Sequence, residues 1–256
     1  MLTLEDYLAQ DARLYPEKTA VITRDETLNY AQLWQRVQER AKDFPKGQVI
    51  AFRTTQNIDF LVTYLAIHLA GSVATPLEKA TPDNLFEEIS ARLSACSYPE
   101  GTADVLYTTG TTGKSKGVMI SHRTIVADAE NLIAGQGFSH DLVFVIHGPL
   151  NHIGSLSKIF PIILQGGTLH ILDGLRDADI FFDAFREEGK YATFFVPANI
   201  RFLLTFDAQR FAALADKLDF VESGGAPLSH ADMLQLCEIL PRTRLYNTYA
   251  STETGI

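Results

Sequence analysis

Cysteine is scarce: Cys96 and Cys237 are the only two in 256 residues, too few and too far apart for a disulfide framework or a metal knuckle. Both are expected to be small core residues of a protein kept in a reducing compartment, so a cytoplasmic location is expected. No apolar run reaches the roughly 18 residues of a membrane-spanning helix. Met1-Leu2-Thr3-Leu4-Glu5-Asp6 has neither the basic region nor the apolar stretch of a signal peptide. A basic excess is also lacking. The 22 Lys and Arg against 31 Asp and Glu give a formal net charge of −9, which argues against nucleic acid or an anionic membrane surface as a general partner. An anionic ligand must then be met by a local cationic cluster. There is no internal repeat or low-complexity tract, and 46% hydrophobic against 21% charged residues leaves no case for disorder.

What the chain does contain is alternation. Leu4, Tyr7, Leu8 and Ala12 keep helical spacing behind a start signal at Thr3 and Asp6. Ala20 to Thr23 and Thr27 to Tyr30 read as two short strands, and Tyr30 to Phe44 as an amphipathic helix. Strand Val49 to Phe52 precedes a mostly buried helix, Phe60 to Leu69, which Gly71 ends before strand Ser72 to Leu77. One helix-sized stretch, Asn84 to Leu93, follows. After position 120 the expected elements are a helix capped by Ser121, then 142–146, 156–164, 168–172, 180–188, 192–196, 199–205, 220–222, 231–240 and 244–246. Such alternation predicts an α/β protein with a largely parallel sheet.

Between strands ending at Tyr107 and starting at Val118 lies Thr108-Thr109-Gly110-Thr111-Thr112-Gly113-Lys114-Ser115-Lys116-Gly117. Glycine lets backbone approach a ligand, hydroxyls and successive N–H groups make an anion-binding concavity, and Lys114 and Lys116 supply charge. The stretch reads as a phosphate-holding loop. It is not a Walker loop, which would need glycine at position 108, nor a G-x-G-x-x-G turn, because position 112 is threonine.

Three further segments follow strands. Pro149-Leu150-Asn151-His152-Ile153-Gly154 carries a histidine that could equally cap a helix or sit in the core. Ser223-Gly224-Gly225-Ala226-Pro227-Leu228 could let a flat ring approach the backbone, or be a plain turn before a helix capped by Ser229. The last is Asn247-Thr248-Tyr249-Ala250-Ser251-Thr252-Glu253-Thr254-Gly255.

These segments, in this order, resemble the AMP-forming acyl-adenylate ligases: acyl- and aryl-CoA synthetases, peptide-synthetase adenylation domains and firefly luciferase. The helix-Ala-Gly-x-Val-Ala-x-Pro-Leu segment ending at Leu77 is similar too. The resemblance implies the layered αβαβα arrangement of that family's large N-terminal domain, truncated and built of two α/β subdomains over residues 1–256. It implies that Lys114 and Lys116 meet the β- and γ-phosphates of ATP, and that Thr108 to Gly113 cradle them. It further implies that Ser223, Gly224, Gly225, Ala226 and Pro227 lie against adenine, with Asn247 at its edge, Thr248 beside it and Tyr249 stacked on it. Thr252 would contact the α-phosphate, Glu253 and Thr109 would hold Mg²⁺, and His152 would wall or gate the carboxylate pocket. Ala250 stands where the family usually has glycine.

The implied reaction joins a small-molecule carboxylate to ATP, giving acyl-AMP and pyrophosphate, then passes the acyl group to CoA or a pantetheine thiol. Amino-acid-activating relatives carry an aspartate after the Pro149-like segment. Here Ser155, Leu156, Ser157 and Lys158 occupy that region, which favours an acyl or aryl acid. Two departures are expected to matter. The family has several tens more residues between Pro82 and Thr102. Its ribose-binding aspartate, hinge and C-terminal domain with the catalytic lysine would come after position 256, so this chain is expected to bind ATP while being catalytically incomplete. The competing readings are a non-catalytic nucleotide- or acyl-binding remnant or subunit, and a peptide-synthetase-type adenylation domain.

Overall fold

The computed structural model describes residues 1–108 and 116–255. Helix α1 (Leu4–Leu14) starts where the Thr3 N–H donates to the Asp6 carboxylate at 2.8 Å. Strands β1 (Thr19–Ile22) and β2 (Thr27–Asn29) form an antiparallel hairpin. Asn29 and Gln32 cap α2 (Tyr30–Ala41) reciprocally. Then come β3 (Val49–Arg53), α3 (Ile58–Leu69), β4 (Val73–Leu77), α4 (Asp83–Ser94), β5 (Thr102–Thr108) and β6 (Lys116–Ser121). Ser121 accepts from the Thr124 N–H to start α5 (His122–Gln136), and Gly137, at φ 76°, ends it. The remainder is β7 (Leu142–Ile146), α6 (Ile153–Leu156), α7 (Ile159–Gln165), β8 (Thr168–Ile171), α8 (Ala178–Asp183), β9 (Lys190–Phe195), α9 (Pro197–Ala212), β10 (Leu218–Ser223), α10 (His230–Ile239) and β11 (Arg244–Asn247).

The strands make two sheets, one of seven in the order β11-β10-β9-β7-β8-β1-β2 and one of four in the order β3-β4-β5-β6. Among the described strands, pairing is parallel except at β1–β2 and β5–β6. Alternate side chains of a strand leave opposite faces, and the core divides accordingly. Phe144, Ile146 and Phe220 point into a central core with Leu106, α1, α2, α3, α5 and α7, whereas Val145 and Val221 point into an outer core with α8, α9 and α10. Val105 points the other way from Leu106, toward Leu93 and Ile89 of α4. Helix, sheet, helix, sheet, helix: this is the expected αβαβα layering. Each fully buried phenylalanine in these layers contributes about 1.5–3 kcal/mol.

A polar cluster is enclosed in the central layer. His68 of α3 lies between Glu5 (Nδ1 to Oε1, 3.1 Å) and Asp104 (Nε2 to Oδ1, 2.9 Å), and the Tyr64 hydroxyl donates to the other Asp104 oxygen at 2.9 Å. Burial alone would push the His68 ring down, but Asp104 and Glu5 outweigh it and hold the pKa at about 10.

Several elements depart from expectation. Cys96 and Cys237 are exposed, not core. Cys96 follows the end of α4, its thiol turned back to the Arg92 carbonyl. Cys237 is next to Leu236, the inward residue of α10, and a step of about 100° carries it off the packed stripe. The helix expected over 156–164 is two, broken at Ser157 and Lys158, where the chain turns Lys158 into the interior. Helix α8 is shorter than the expected 180–188. Helix α9 is longer than 199–205 and kinks at Asp207, whose carboxylate accepts from the Arg210 N–H at 2.9 Å.

Candidate functional site

Three of the four motif segments leave the large sheet at one edge. Parallel register puts Ser223 of β10 beside Phe195 of β9 and Asn247 of β11, and β7 runs parallel to β9. The segments after Ile146, Phe195, Ser223 and Asn247 therefore all emerge from carboxyl ends, where open α/β sheets bind ligands.

Local chemistry knits these segments together. The Thr248 N–H donates to the Ser223 carbonyl at 2.8 Å. A Cβ at position 224 would lie 2.9 Å from Thr248 Oγ1 and 3.1 Å from the Phe194 ring, and one at 154 would lie 3.2 Å from the same ring. Glycine at both places lets the segments meet around Phe194. The next residue, Gly225, takes a left-handed φ of 74°.

Beneath this edge is a buried ion pair. Glu222 shares parity with Phe220 and so points into the central layer. There the Lys158 ammonium reaches both its oxygens at 2.8 Å, with both side chains fully enclosed. The Thr248 hydroxyl donates to the same carboxylate at 2.8 Å, and Lys158 also sits 5.4 Å over the Phe194 ring. Burial draws the Lys158 pKa below the ordinary lysine value, against the pull of Glu222.

On the outer side, His147 follows β7 and is packed by Phe181 and Phe195, its Nδ1 3.4 Å from the Asn199 amide. Burial lowers its pKa to about 4, so it is a neutral ring. The hydroxyls of Ser157 and Ser223 and the Nε2 of His147 are buried without a hydrogen-bond partner among the described residues.

The expected residues fall as follows. Tyr249 is 92% exposed and presents a bare ring. Asn247, Gly225, Ala226, Pro227 and Glu253 are exposed, and Thr252 is half-buried. Thr252 and Glu253 occupy the tip of a turn closed by the Ser251–Gly255 bridge. Gly255 has φ 77°, and a Cβ there would come 2.7 Å from the Asp128 carboxylate. Gly224 and Ser223 are buried, and Thr248 turns its hydroxyl inward. His152 is exposed at the N-cap position of α6 without a side-chain capping bond. Lys116 is exposed and pairs with Thr108 across β5–β6. Thr109, Gly110, Thr111, Thr112, Gly113 and Lys114 lie outside the described residues. A cleft of about 720 Å³ lies elsewhere, by Gly47, Gly71, Tyr98 and Glu100 near the amino ends of β3–β5.

Sequence reasoning missed Glu222, His147 and His68, and treated Lys158 only as a residue that is not aspartate. The available signal was a charged or imidazole side chain within an apolar element, as in Phe220-Val221-Glu222.

The chain is 26% identical over 306 aligned positions to the cyclosporin synthetase of Tolypocladium inflatum, covering 100% of this chain and 2% of the synthetase. With 306 positions against 256 residues, the relative carries tens of residues that have no counterpart here. Two solved structures show the same fold. The N-terminal subdomain of NpsA from Klebsiella oxytoca, in complex with 3-hydroxyanthranilyl-AMSN, matches with TM-score 0.83 at 18% identity over 99% of this chain and 73% of that one. A double mutant of o-succinylbenzoate CoA synthetase from Bacillus subtilis, bound with the product analogue OSB-NCoA, matches with TM-score 0.81 at 21% identity over 96% and 59%. The family model for AMP-binding enzymes matches residues 87–256. With that match across most of its length, and three of its motif segments gathered at one sheet edge, the chain belongs to the AMP-binding enzyme family.

Proposed function

We propose that the carboxyl edge of the seven-stranded sheet binds ATP together with a small carboxylic acid and promotes adenylate formation. The observation that carries this reading is the convergence of Ser223–Pro227 and Asn247–Glu253, joined by the Thr248–Ser223 hydrogen bond, around an exposed Tyr249. In this proposal adenine stacks on Tyr249 and lies along Gly224, Gly225, Ala226 and Pro227, with Asn247 at its edge. The substrate carboxylate attacks the α-phosphorus, and the oxygen bridging to the β-phosphate leaves with pyrophosphate. Two anions must be held together, so positioning and positive charge do most of the work. The loop Thr108–Gly113, with Lys114 and Lys116, takes the β- and γ-phosphates, and Thr252 takes the α-phosphate. Magnesium, when bound, would offset phosphate charge. Glu253 suits it, as an exposed carboxylate without a hydrogen bond or ion pair among the described residues, and Thr109 is its proposed companion. His152 stands on the acid side.

The acceptor thiol is proposed to be CoA or a pantetheine, with a further C-terminal domain or polypeptide completing the site. For the acid, an acyl or aryl carboxylate is favoured, because Lys158 is a buried cation and offers nothing to a substrate ammonium. The peptide-synthetase reading, with an amino acid as substrate, draws on the relative reported above. Pyrophosphate exchange over a panel of aryl, acyl and amino acids separates the two. Together with the C-terminal domain or polypeptide proposed to complete the site, the chain is expected to exchange pyrophosphate with an aryl or acyl acid, and Lys114→Ala to abolish it, whereas the 256 residues alone bind MgATP with little exchange. Exchange with amino acids alone would overturn the choice of acid. Absence of both exchange and MgATP binding would overturn the ligase reading in favour of a non-catalytic remnant.

A further inference from the structure

The central-layer cluster around His68 has two features that its hydrogen bonds leave unexplained. Glu5 and Asp104 are two enclosed carboxylates, and His68 between them carries at most one positive charge, so the cluster keeps a buried negative charge. His122, the first residue of α5, meets His68 edge to face with ring centroids 5.0 Å apart, and its buried Nδ1 has no partner among the described residues. One ion would resolve both.

We propose that Glu5, His68 and His122 form a binding site for a divalent transition metal of the zinc type. Their ligand atoms lie within 4.8 Å of one another, and a contraction of about 1 Å would bring all three to bonding distance of a single ion. Two imidazoles and a carboxylate suit zinc and its first-row neighbours better than magnesium or calcium, which favour all-oxygen shells. The supporting shell is already built. If His68 binds through Nδ1, its Nε2–H donates to Asp104, and Asp104 is fixed in turn by the Tyr64 hydroxyl. Metal-ligating histidines are commonly oriented by such a carboxylate. Binding displaces the Nδ1 proton of His68 to solvent, and the dication then balances the two carboxylates. His122 is the half-buried member of the cluster and so the side from which an ion would arrive. The site joins α1, α3, β5 and α5, making it a clamp on the fold and not part of adenylate chemistry.

The test needs no nucleotide. Chelator-treated full chain is titrated with Zn²⁺ against a chromophoric competitor, and with Co²⁺ by visible absorption. One equivalent of Zn²⁺, Co²⁺ bands of a four- or five-coordinate ion, and at least tenfold weaker binding in His122→Phe are expected. His122→Phe keeps an aromatic ring against His68; if it fails to fold, Glu5→Gln replaces it with the same expectation. Substoichiometric binding, or equal affinity in wild type and a folded variant, would overturn the proposal and assign the metal to surface histidines such as His140, His152 and His230.

Discussion

Two buried polar clusters do opposite jobs in this protein. The one on the small sheet, Glu5–His68–Asp104–Tyr64, fastens helices to strands, and among the described residues its side-chain hydrogen bonds include none to a motif segment. The one on the large sheet, Lys158–Glu222–Thr248, is bonded directly to the segment that carries Tyr249 and Glu253. The first sets one imidazole between two carboxylates, and the second bonds one lysine to one carboxylate. Damage to the first should therefore appear as lost stability alone. Damage to the second should appear as lost stability together with lost ligand binding.

The largest effect is expected for His68→Leu, which leaves two enclosed carboxylates facing each other. Breaking a buried pair costs about 3–5 kcal/mol, and here two are broken, an amount comparable with the whole stability of many domains. Expression and circular dichroism should report loss of the folded state, and a well-folded variant would show that the cluster is not a fastener.

Next is Lys158→Met, with an expected cost of about 3–5 kcal/mol in urea unfolding because Glu222 is stranded. Unlike other core substitutions of equal cost, it should also weaken MgATP binding at temperatures where the variant remains folded, because Thr248 loses its fixed partner. Unchanged binding would separate the ion pair from the site. The double substitution Lys158→Met with Glu222→Leu should recover part of the stability but not the orientation of Thr248.

The two buried histidines sharpen the same contrast. His68 is held charged by carboxylates, whereas His147 sits among phenylalanines and is held neutral, its pKa lowered from 6.5 to about 4. Because its folded value lies below its unfolded one, the unfolded chain takes up the proton first. Stability from this group is intact above pH 6.5 and is lost as pH falls toward 4, by up to about 3 kcal/mol. Urea midpoints measured across that window should fall in wild type and fall less in His147→Phe. Parallel curves would contradict the assignment.

Much of the molecule is legible in sequence, and the limit is physical. Periodicity finds α2, because burial on one face writes itself into spacing, and continuous apolar runs find α3 and β4, which are buried nearly all round. Two helix caps are legible as well, because Ser121 before α5 and Ser229 before α10 make local side-chain bonds. The order of motif segments gives the layered family fold. The pairs within the layers stay hidden. Lys158 and Glu222 are 64 residues apart and Glu5 and His68 are 63. Which charge meets which depends on how helices seat against sheets, something no local pattern records. The cysteines fail for the same reason, since composition says that cysteine is usually buried and only helix phase puts Cys237 outside. Inside the site, Thr248 is the instructive case: the motif identifies it, but its hydroxyl supports the edge from within instead of facing out.

The smallest structural effect belongs to Tyr249→Ala, which removes an exposed ring and should change stability by less than about 0.5 kcal/mol. That makes it the most direct probe of the central claim. Calorimetry of the 256-residue chain with MgATP should give saturable one-to-one binding, at least tenfold weaker in Tyr249→Ala at unchanged melting temperature. Absence of binding in wild type, or equal binding in wild type and variant, would contradict a nucleotide site at this edge.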